Sequence, residues 1–357
     1  MKRFLTYSSI LFVLGLTVAI NGCKHPQEDE PYPETYKSAS GDFDVNFFLV
    51  LLQEAGEINF EEDSVWFRAQ FNESATWVIT IDGMSSGAQK VLSGTGSTID
   101  SAGTFWNGSS DNAAFFSKGE SFTVTLSFFG NDITKTSAPV SIVEPKKFKG
   151  LLVSDFESAT EAKGFVVGAD WFKFFDGETP GDGKLESVGY GIYPNDIVWT
   201  KPEYEHDLPA PIQGKSYYHM EGRDYADQPN DFFIGGFGHD ARRFGVTAPL
   251  NQTYVNFFLS TNGNTTTKIK LEIPGIGGDL FAKELDVTWT GWKMVSIKLS
   301  EFVLAESGPL GAGVLIPELV SKISFQLMSG GGEAGNLAEA NLDYLIITEY
   351  KPFSQND

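Results

Sequence analysis

The sequence predicts an all-β fold, and three observations predict it. Apolar and polar residues alternate in short segments, as they do in half-buried strands. Glycine (38 residues) and aromatic residues (14%) are abundant, which is typical of strands joined by tight turns. Long apolar stretches with a helical period are scarce. The clearest predicted strands are residues 76–81, 121–128, 268–273, 293–299 and 322–327, and the predicted hairpin turns are Asp82-Gly83 and Asn262-Gly263.

The first 22 residues have the pattern of a secretory signal peptide. Lys2 and Arg3 precede an apolar run over residues 10–20, which is short for a membrane span. Cys23 is the only cysteine and follows Gly22 directly. The tetrapeptide at 20–23 resembles the lipobox of bacterial lipoproteins, which implies that Cys23 carries a lipid anchor. The alternative is an ordinary signal peptide with a chance cysteine. With no second cysteine, no intrachain disulfide is expected.

A flexible tether is predicted over residues 23–40, where prolines and acids replace aliphatic residues. Its acidic cluster, Glu28-Asp29-Glu30, resembles the signal that exports Bacteroidota lipoproteins to the outer face of the outer membrane. This resemblance implies a lipid-anchored protein facing the extracellular side. The net charge of −21 argues against nucleic acid and anionic lipid headgroups as partners.

Two domains are predicted after the tether, at residues 41–147 and 148–351, with a short tail at 352–357. A proline and a basic cluster near residues 143–150 mark the boundary. The first domain has the strand spacing of an immunoglobulin-like sandwich. Its stretches at 106–108 and 116–126 resemble PKD-type modules of surface lipoproteins. We expect Trp77 and Trp106 to be core residues of this domain.

The second domain carries an ordered set of motifs, at residues 153–157, 289–302 and 341–347. Their order resembles the galactose-binding-like jelly roll of carbohydrate-binding modules. Residues 216–222 and 231–237 are similar to the central strands of surface glycan-binding proteins from Sus-type polysaccharide-utilisation loci. The resemblance implies a β-jelly roll that binds a polysaccharide or oligosaccharide and, by analogy, serves an outer-membrane importer complex. It also implies that Trp292 packs inside.

A sugar site is predicted between residues 171 and 243, which are dense in aromatic rings and planar polar groups. Sugar rings stack on flat aromatic faces and exchange hydrogen bonds with such polar groups. For each candidate the alternative is structural: a tryptophan in the core, a solvated loop, or an arginine paired with an acid. Only one of the pairs Tyr217/His219 and Tyr218/Met220 faces the core, because they alternate along a strand. The predicted ligand-binding residues are Trp199, Trp171, Tyr204, His206, Tyr217, His219, Arg223 and Arg242.

A structural calcium ion is a further expectation. In the resembled family a calcium ion often bridges the first and last strands through hard oxygen ligands. Asp155, Glu157 and Asp343 occupy positions similar to those ligands. The alternative is that these acids only complete turns.

No catalytic motif is found in the sequence, so we expect a binding protein and not an enzyme. Jelly rolls also host hydrolases and lyases, which the fold alone does not exclude. The Glu-x-Asp-x-x-Glu pattern of retaining hydrolases is absent. The nearest acids are Asp155 with Glu157, which fit the calcium position, and Glu203 with Glu205 and Asp207, which lie in a predicted loop. A polysaccharide lyase of this fold needs a tyrosine or histidine with an arginine, and the chain offers Tyr217, His219 and Arg223. The lyase alternative therefore stays open. A surface adhesin without a glycan site is the third hypothesis.

Overall fold

The computed structural model describes residues 43–157, 171–175, 186–223, 231–239, 243–330 and 336–357. Within these ranges the chain consists of strands and short 3₁₀ helices, so the prediction of an all-β fold is confirmed. Residues 45–357 form one compact unit. No helix in the described ranges is long and apolar enough to cross a membrane. The predicted signal peptide, Cys23, the tether and Arg242 lie outside the described residues.

The first part of the unit is an eight-stranded sheet with the order β1-β3-β6-β8-β2, to which β4, β5 and β7 add at the sides. The long strand β3 pairs with β1 through residues 66–71 and with β6 through residues 77–83, so it joins both parts of the sheet. The strands are β1 (Val45–Leu51), β2 (Glu57–Asn59), β3 (Val65–Gly83), β4 (Gln89–Ile99), β5 (Phe105–Trp106), β6 (Ser121–Phe128), β7 (Asn131–Thr136) and β8 (Val140–Glu144).

Aromatic side chains fill the core of this first sandwich. Trp106 is 1% exposed, and its indole N–H donates to the carbonyl of Ser109 over 2.7 Å, so the polar atom of a buried ring is satisfied. Trp77 is buried as well, and the expectation that both tryptophans are core residues is confirmed. Three rings meet Trp106 edge to face, those of Phe60, Phe116 and Phe122, with centroids 4.6, 4.6 and 4.8 Å away.

The second part is a sandwich of two antiparallel sheets. The seven-stranded sheet has the order β12-β11-β13-β21-β15-β18, with β9 beside β21, and the six-stranded sheet has the order β10-β14-β20-β16-β17-β19. The strands are β9 (Leu151–Ser154), β10 (Trp171–Phe175), β11 (Glu186–Tyr193), β12 (Asp196–Trp199), β13 (Tyr217–Arg223), β14 (Asp231–His239), β15 (Thr253–Asn262), β16 (Thr267–Pro274), β17 (Leu280–Asp286), β18 (Thr290–Lys298), β19 (Val303–Glu306), β20 (Ser324–Gly330) and β21 (Leu337–Glu349). The 3₁₀ helices are Pro202–Tyr204, Leu250–Gln252, Ile276–Gly278, Leu299–Glu301 and Pro317–Leu319.

Strand alternation builds the core between these two sheets. Every second residue of β15 and β16 points inward, because successive side chains of a strand face opposite sides. Phe257 of β15 meets Phe325 of β20 edge to face, with the ring centroids 5.1 Å apart. The inward residues of these two strands are Val255, Phe257, Leu259, Ile269, Leu271 and Ile273, and each is fully buried.

The five predicted strands all coincide with observed strands, and the match is best for residues 121–128, which are β6. Asp82-Gly83 ends β3, and the next strand pairs back with β3, so a hairpin is present there. The hairpin predicted at Asn262-Gly263 is wrong. β15 belongs to the seven-stranded sheet and β16 to the six-stranded sheet, so this connection crosses between sheets. The side-chain amides of Asn262 and Asn264 donate to the carbonyl of Leu337 and fix the crossing.

The two sandwiches share an aromatic cluster. Phe115 of the first packs on Phe258 and Tyr344 of the second, with ring centroids 5.2 and 4.9 Å away. The C-terminal segment completes the junction. Phe353 packs against the same cluster, and the Gln355 side chain bonds back to residues 110–113 of the first sandwich. Residues 352–357, predicted as a tail, are therefore bonded to both sandwiches.

Candidate functional site

The candidate site lies on the face of the seven-stranded sheet that is turned away from the core. Tyr218 of β13 packs in the core, whereas His219 and Glu221 lie on the opposite face. The strand register places Gly189 of β11 beside Glu221, and Asn341 of β21 beside His219. Three neighbouring strands thus contribute to one surface.

Residues 200–216, here called the covering segment, connect β12 to β13 and cross this outer face. Direct hydrogen bonds anchor its second half to the sheet and to a nearby acid. Two carbonyls of the segment accept from side chains: that of Pro209 from the Tyr217 hydroxyl (2.8 Å) and that of Ala210 from the Trp292 indole N–H (2.8 Å). Three backbone N–H groups donate to carboxylates: that of Gln213 to Asp343 Oδ2 (3.1 Å), and those of Lys215 and Ser216 to Glu157 Oε1 (2.7 and 3.1 Å).

The first half of the covering segment forms an aromatic rim with the edge of the sheet. Trp199, at the end of edge strand β12, is half-buried, and its ring lies 5.0 Å from that of His206. The His206 side chain is 40% exposed. The guanidinium carbon of Arg223 lies 4.6 Å from the centroid of the Tyr204 ring, within cation–π distance. This rim offers partly exposed rings beside planar donors.

Gly189 makes the position of Trp199 possible. The two residues are direct partners in the β11–β12 register. A Cβ atom at Gly189 would lie 2.6 Å from the indole ring and 3.3 Å from Nε2 of His219. The absence of a side chain therefore allows the indole to lie flat across β11.

A chain of polar side chains forms the floor beneath the rim. The Asn341 amide donates to Glu339 Oε1 over 2.6 Å, and Oδ1 of Asn341 lies 2.7 Å from Nδ1 of His219. Nε2 of His219 lies 3.3 Å from Glu221 Oε2, and Nε2 of His206 lies 3.7 Å from the same oxygen. His219 and Glu221 are 0% and 1% exposed.

The polar side chains of this floor leave a gap between His219 and Glu221, where buried polar atoms lack hydrogen-bond partners. The Glu339 carboxylate can only accept hydrogen bonds, so the NH₂ group of Asn341 points toward it. The amide oxygen of Asn341 then points toward His219 and accepts a hydrogen bond from Nδ1–H. In the neutral ring, Nε2 is then an acceptor facing a second acceptor. Nε2 of His219 and both carboxylate oxygens of Glu221 are buried without a hydrogen-bond partner. A group that donates hydrogen bonds would fit this gap.

Four of the predicted ligand-binding residues meet at this place: Trp199, Tyr204, His206 and Arg223. Tyr217 and His219 lie on the same face but are fully buried under the covering segment. Neither ring is therefore presented to solvent, and a ligand-binding role for either residue stays a prediction. The backbone of Trp171 lies in the six-stranded sheet, paired with His239, which is not the sheet that carries this site. Trp292, predicted to pack inside, is half-buried: its indole N–H donates to the covering segment and its ring packs on Tyr217.

Glu221 and Asn341 complete the site, although neither is singled out by the sequence. The sequence signal for these two residues is their spacing from other candidate residues along the strands. Glu221 follows His219 by two residues on β13 and so shares its face. Asn341 precedes the Asp343 motif by two residues on β21, but the strand order that brings it to His219 is not a local property.

The predicted calcium ligands are close enough to repel one another. Asp343 is fully buried, and burial raises its pKa well above the ordinary value, with a further increase from the charges of Glu157 and Asp155. Gly214 permits the close approach of Glu157, because a Cβ there would lie 1.9 Å from Oε1 and because its φ is +61°.

The backbone is strained at both acidic turns. Phe156, between Asp155 and Glu157, has φ +55°, and Tyr344, directly after Asp343, has φ +48°. Bulky residues rarely adopt this region, at a cost of about 1–3 kcal/mol each. Strain of this kind clusters at ligand sites and is consistent with a role beyond completing turns.

The oxygen-only set matches the ligand preference of calcium. Among the described residues, however, no three His, Cys, Asp or Glu side chains converge closely enough to hold a metal ion by themselves. An ion bound by Asp155, Glu157 and Asp343 would therefore need backbone carbonyls or water to complete its shell.

A groove of about 790 Å³ in the first sandwich is the main alternative location. Residues 45–53, 55–56 and 135–140 line it, among them Phe47 and Phe48. Lys135 is the only charged residue among its described lining residues, and Asn46 and Gln53 add side-chain amides, but no tryptophan or tyrosine lines it.

Known proteins match this chain in structure but not in sequence, and 48 chains of solved structures are similar to it. No protein-family model matches it. No curated protein matches it. A family 11 carbohydrate-binding module from Clostridium thermocellum, solved with a β-1,3-1,4-mixed-linked tetrasaccharide, is similar with a TM-score of 0.33 and 13% identity, over 57% of this chain and 98% of the module.

A second solved structure extends over more of the chain. SGBP-B, from a complex xyloglucan utilization locus in Bacteroides uniformis, is similar with a TM-score of 0.33 and 11% identity, over 80% of this chain and 68% of that protein. At TM-scores this low, neither likeness assigns a ligand to this chain.

Proposed function

We propose that this protein binds a neutral polysaccharide or oligosaccharide at the rim formed by Trp199, Tyr204, His206 and Arg223. The observation that supports it is the half-buried Trp199 indole on an edge strand, with the His206 ring 5.0 Å away. Tyr204, two residues before His206, lies under the Arg223 guanidinium. A sugar presents a C–H face to an aromatic ring while its hydroxyls reach polar groups at the ring's border. The rim supplies both.

The charge of the chain favours a neutral glycan. With a net charge of −21, the surface repels polyanions such as nucleic acid or acidic polysaccharides. Glucans, mannans and xylans carry no charge to be repelled. Binding is therefore expected to change little with ionic strength.

Affinity electrophoresis against a panel of neutral polysaccharides tests the proposal. We expect the wild-type protein to be retarded by at least one polymer and Trp199→Ala to bind roughly 30-fold more weakly, for a loss of about 2 kcal/mol. Phe129→Ala is the matched control, because Phe129 is an aromatic residue 88% exposed on the first sandwich. Retardation by no polymer would refute the proposal and favour an adhesin.

The cellular setting is part of the same proposal. A lipid on Cys23 would hold the protein on the outer membrane, with the tether separating the sandwiches from the bilayer. A glycan captured there would pass to an outer-membrane importer complex. Labelling with a palmitate analogue tests the anchor, and Cys23→Ser is expected to abolish the label and release the protein from the membrane.

We also propose that Asp155, Glu157 and Asp343 hold a structural calcium ion. The support is the mutual repulsion of these carboxylates, the burial of Asp343 and the strained turns beside it. A divalent cation supplies the positive charge that these groups lack and would stabilise the junction of β9 with β21.

Thermal unfolding with and without calcium tests this ion. Saturating CaCl₂ is expected to raise the Tm of the EDTA-treated protein by several degrees, since a ligand at 100 times its Kd stabilises by about 2.7 kcal/mol. Asp343→Asn should lose this response. Asp279→Asn is the control, because Asp279 is also a buried acid that accepts backbone N–H groups, from Gly308 and Gly313. An equal response in both variants would contradict the calcium site.

The lyase alternative is weakened by the state of Tyr217. Its hydroxyl donates to the Pro209 carbonyl, and burial raises its pKa far above the ordinary value, with smaller contributions from Tyr193, Glu339 and Asp343. Such a phenol is a poor proton-transfer group at neutral pH. Incubation with any polymer that binds should release neither reducing nor unsaturated ends; release of either would make the protein an enzyme.

A further inference from the structure

We propose that Glu221, His219 and Arg223 form a covered subsite for sugar hydroxyls, and that residues 201–207 are the lid that admits the sugar to it. The inference deepens the proposed glycan binding and rests on it. The observation behind it is that buried polar atoms without hydrogen-bond partners lie beneath residues 201–207, the half of the covering segment that ring contacts hold in place.

The floor of the subsite has unused hydrogen-bonding capacity. Both carboxylate oxygens of Glu221, Nε2 of His219 and Nε of Arg223 are buried and have no hydrogen-bond partner. Buried polar groups are nearly always satisfied, so four such atoms on alternate residues of β13, which share one face, require an explanation. A sugar hydroxyl both donates and accepts. Neighbouring hydroxyls of one ring therefore match a set that contains acceptors on Glu221 and His219 and a donor on Arg223.

The lid differs from the rest of the covering segment in how it is held. Residues 201–203 and 205–207 are exposed. The ring contacts of Tyr204 with Arg223 and of His206 with Trp199 hold this half on the sheet, and Nε2 of His206 lies 3.7 Å from Glu221 Oε2. In contrast, direct hydrogen bonds anchor residues 209–216, and three of these come from backbone N–H groups to carboxylates. Opening at 201–207 would separate these ring contacts and move His206 away from Glu221.

The chemistry favours hydroxyls over a cation. His206, His219 and Glu221 are residue types that also bind metals, so a cation is the alternative to a sugar hydroxyl at this place. Arg223 at the same floor adds a fixed positive charge, which opposes a bound metal and suits an uncharged polar ligand. Trp199 covers one side of the gap and supplies the stacking face.

Isothermal titration calorimetry of three variants with the polysaccharide fragment that binds wild type tests the subsite. Glu221→Gln is expected to weaken binding about tenfold or more, because hydrogen bonds to a charged acceptor are lost. The control is Glu272→Gln on the six-stranded sheet, where the carboxylate already accepts from Gln326 and pairs with Lys270. If Trp199→Ala loses binding while Glu221→Gln retains wild-type affinity, the subsite is refuted and the proposed function stands. If wild type binds nothing, both fail.

Hydrogen–deuterium exchange of the wild-type protein tests the lid without any variant. Amides at 203–207 are expected to exchange faster than those of Gln213, Lys215 and Ser216 in the free protein, and to slow when oligosaccharide is added. Unchanged exchange at 203–207 in a saturated complex would overturn the lid. A rise in Tm with ZnCl₂ that Glu221→Gln abolishes, without an effect of this variant on sugar affinity, would identify a cation site instead and overturn the hydroxyl subsite.

Discussion

A single missing Cβ at Gly189 sets the orientation of the Trp199 indole. Gly189→Ala would place a methyl group 2.6 Å from the ring, so the indole has to move away from β11. We expect a loss of glycan affinity of about the size seen for Trp199→Ala, measured by the same affinity gels, although no polar or aromatic group is removed. Gly103→Ala is the control, since a Cβ there meets no atom within 4 Å. Full binding by Gly189→Ala would argue against stacking on Trp199.

Asp343 makes the stability depend on pH in an unusual direction. Burial raises its pKa in the folded protein, so the folded state holds the proton more tightly than the unfolded chain. The resulting stabilisation is complete below the ordinary aspartate pKa of 3.8 and is lost as the pH rises through the raised value. In EDTA, we expect the Tm of wild type relative to Asp343→Asn to rise as the pH is lowered from 7. A difference that stays constant with pH would contradict this.

The residue types of the site could be predicted from the sequence, but their exposure could not. Trp199 and Arg223 follow from a local density of rings and planar polar groups. Tyr217 and His219 have the same residue types, yet they are buried because residues 200–216 cross the sheet above them. That crossing depends on bonds between distant residues, such as Trp292 to Ala210, which no local pattern contains.

At the scale of single elements, alternation determines which substitutions are costly. Phe122 of β6 is fully buried against Trp106, whereas Thr125 on the opposite face of the same strand is half-buried. Phe122→Ala is expected to lower the free energy of unfolding by about 3–5 kcal/mol and Thr125→Ala by less than about 1 kcal/mol. Denaturant unfolding measures both. Similar losses for the two variants would show that this strand is not packed as described.

The same alternation explains why β6 is predicted residue for residue while the connection after β15 is not. A strand pattern is local, because each side chain responds to the face on which it lies. Asn262-Gly263 has the composition of a hairpin turn, but composition does not encode which sheet the next strand joins. Here Leu337, far along the chain, receives both asparagine amides and directs β16 to the opposite sheet.

At the scale of the whole molecule, the C-terminal segment joins the two sandwiches. Phe353 packs at their shared cluster and Gln355 bonds to the first sandwich. Removal of residues 353–357 is expected to lower the Tm by several degrees and to broaden the calorimetric transition, as the sandwiches unfold more independently. Removal of 356–357 alone retains both contacts and should have little effect. An unchanged transition after the longer deletion would mean that the junction does not couple the sandwiches.

The central claim of the proposed function is that the ligand surface is Trp199 and its neighbours. The most direct test is the indole N–H spectrum of the ¹⁵N-labelled protein, in which each of the seven tryptophans contributes one signal. Trp199→Phe assigns the signal of Trp199. On titration with a neutral oligosaccharide that binds, this signal is predicted to shift while that of the buried Trp106 stays in place. Saturation of the protein with no shift at Trp199 would contradict the account.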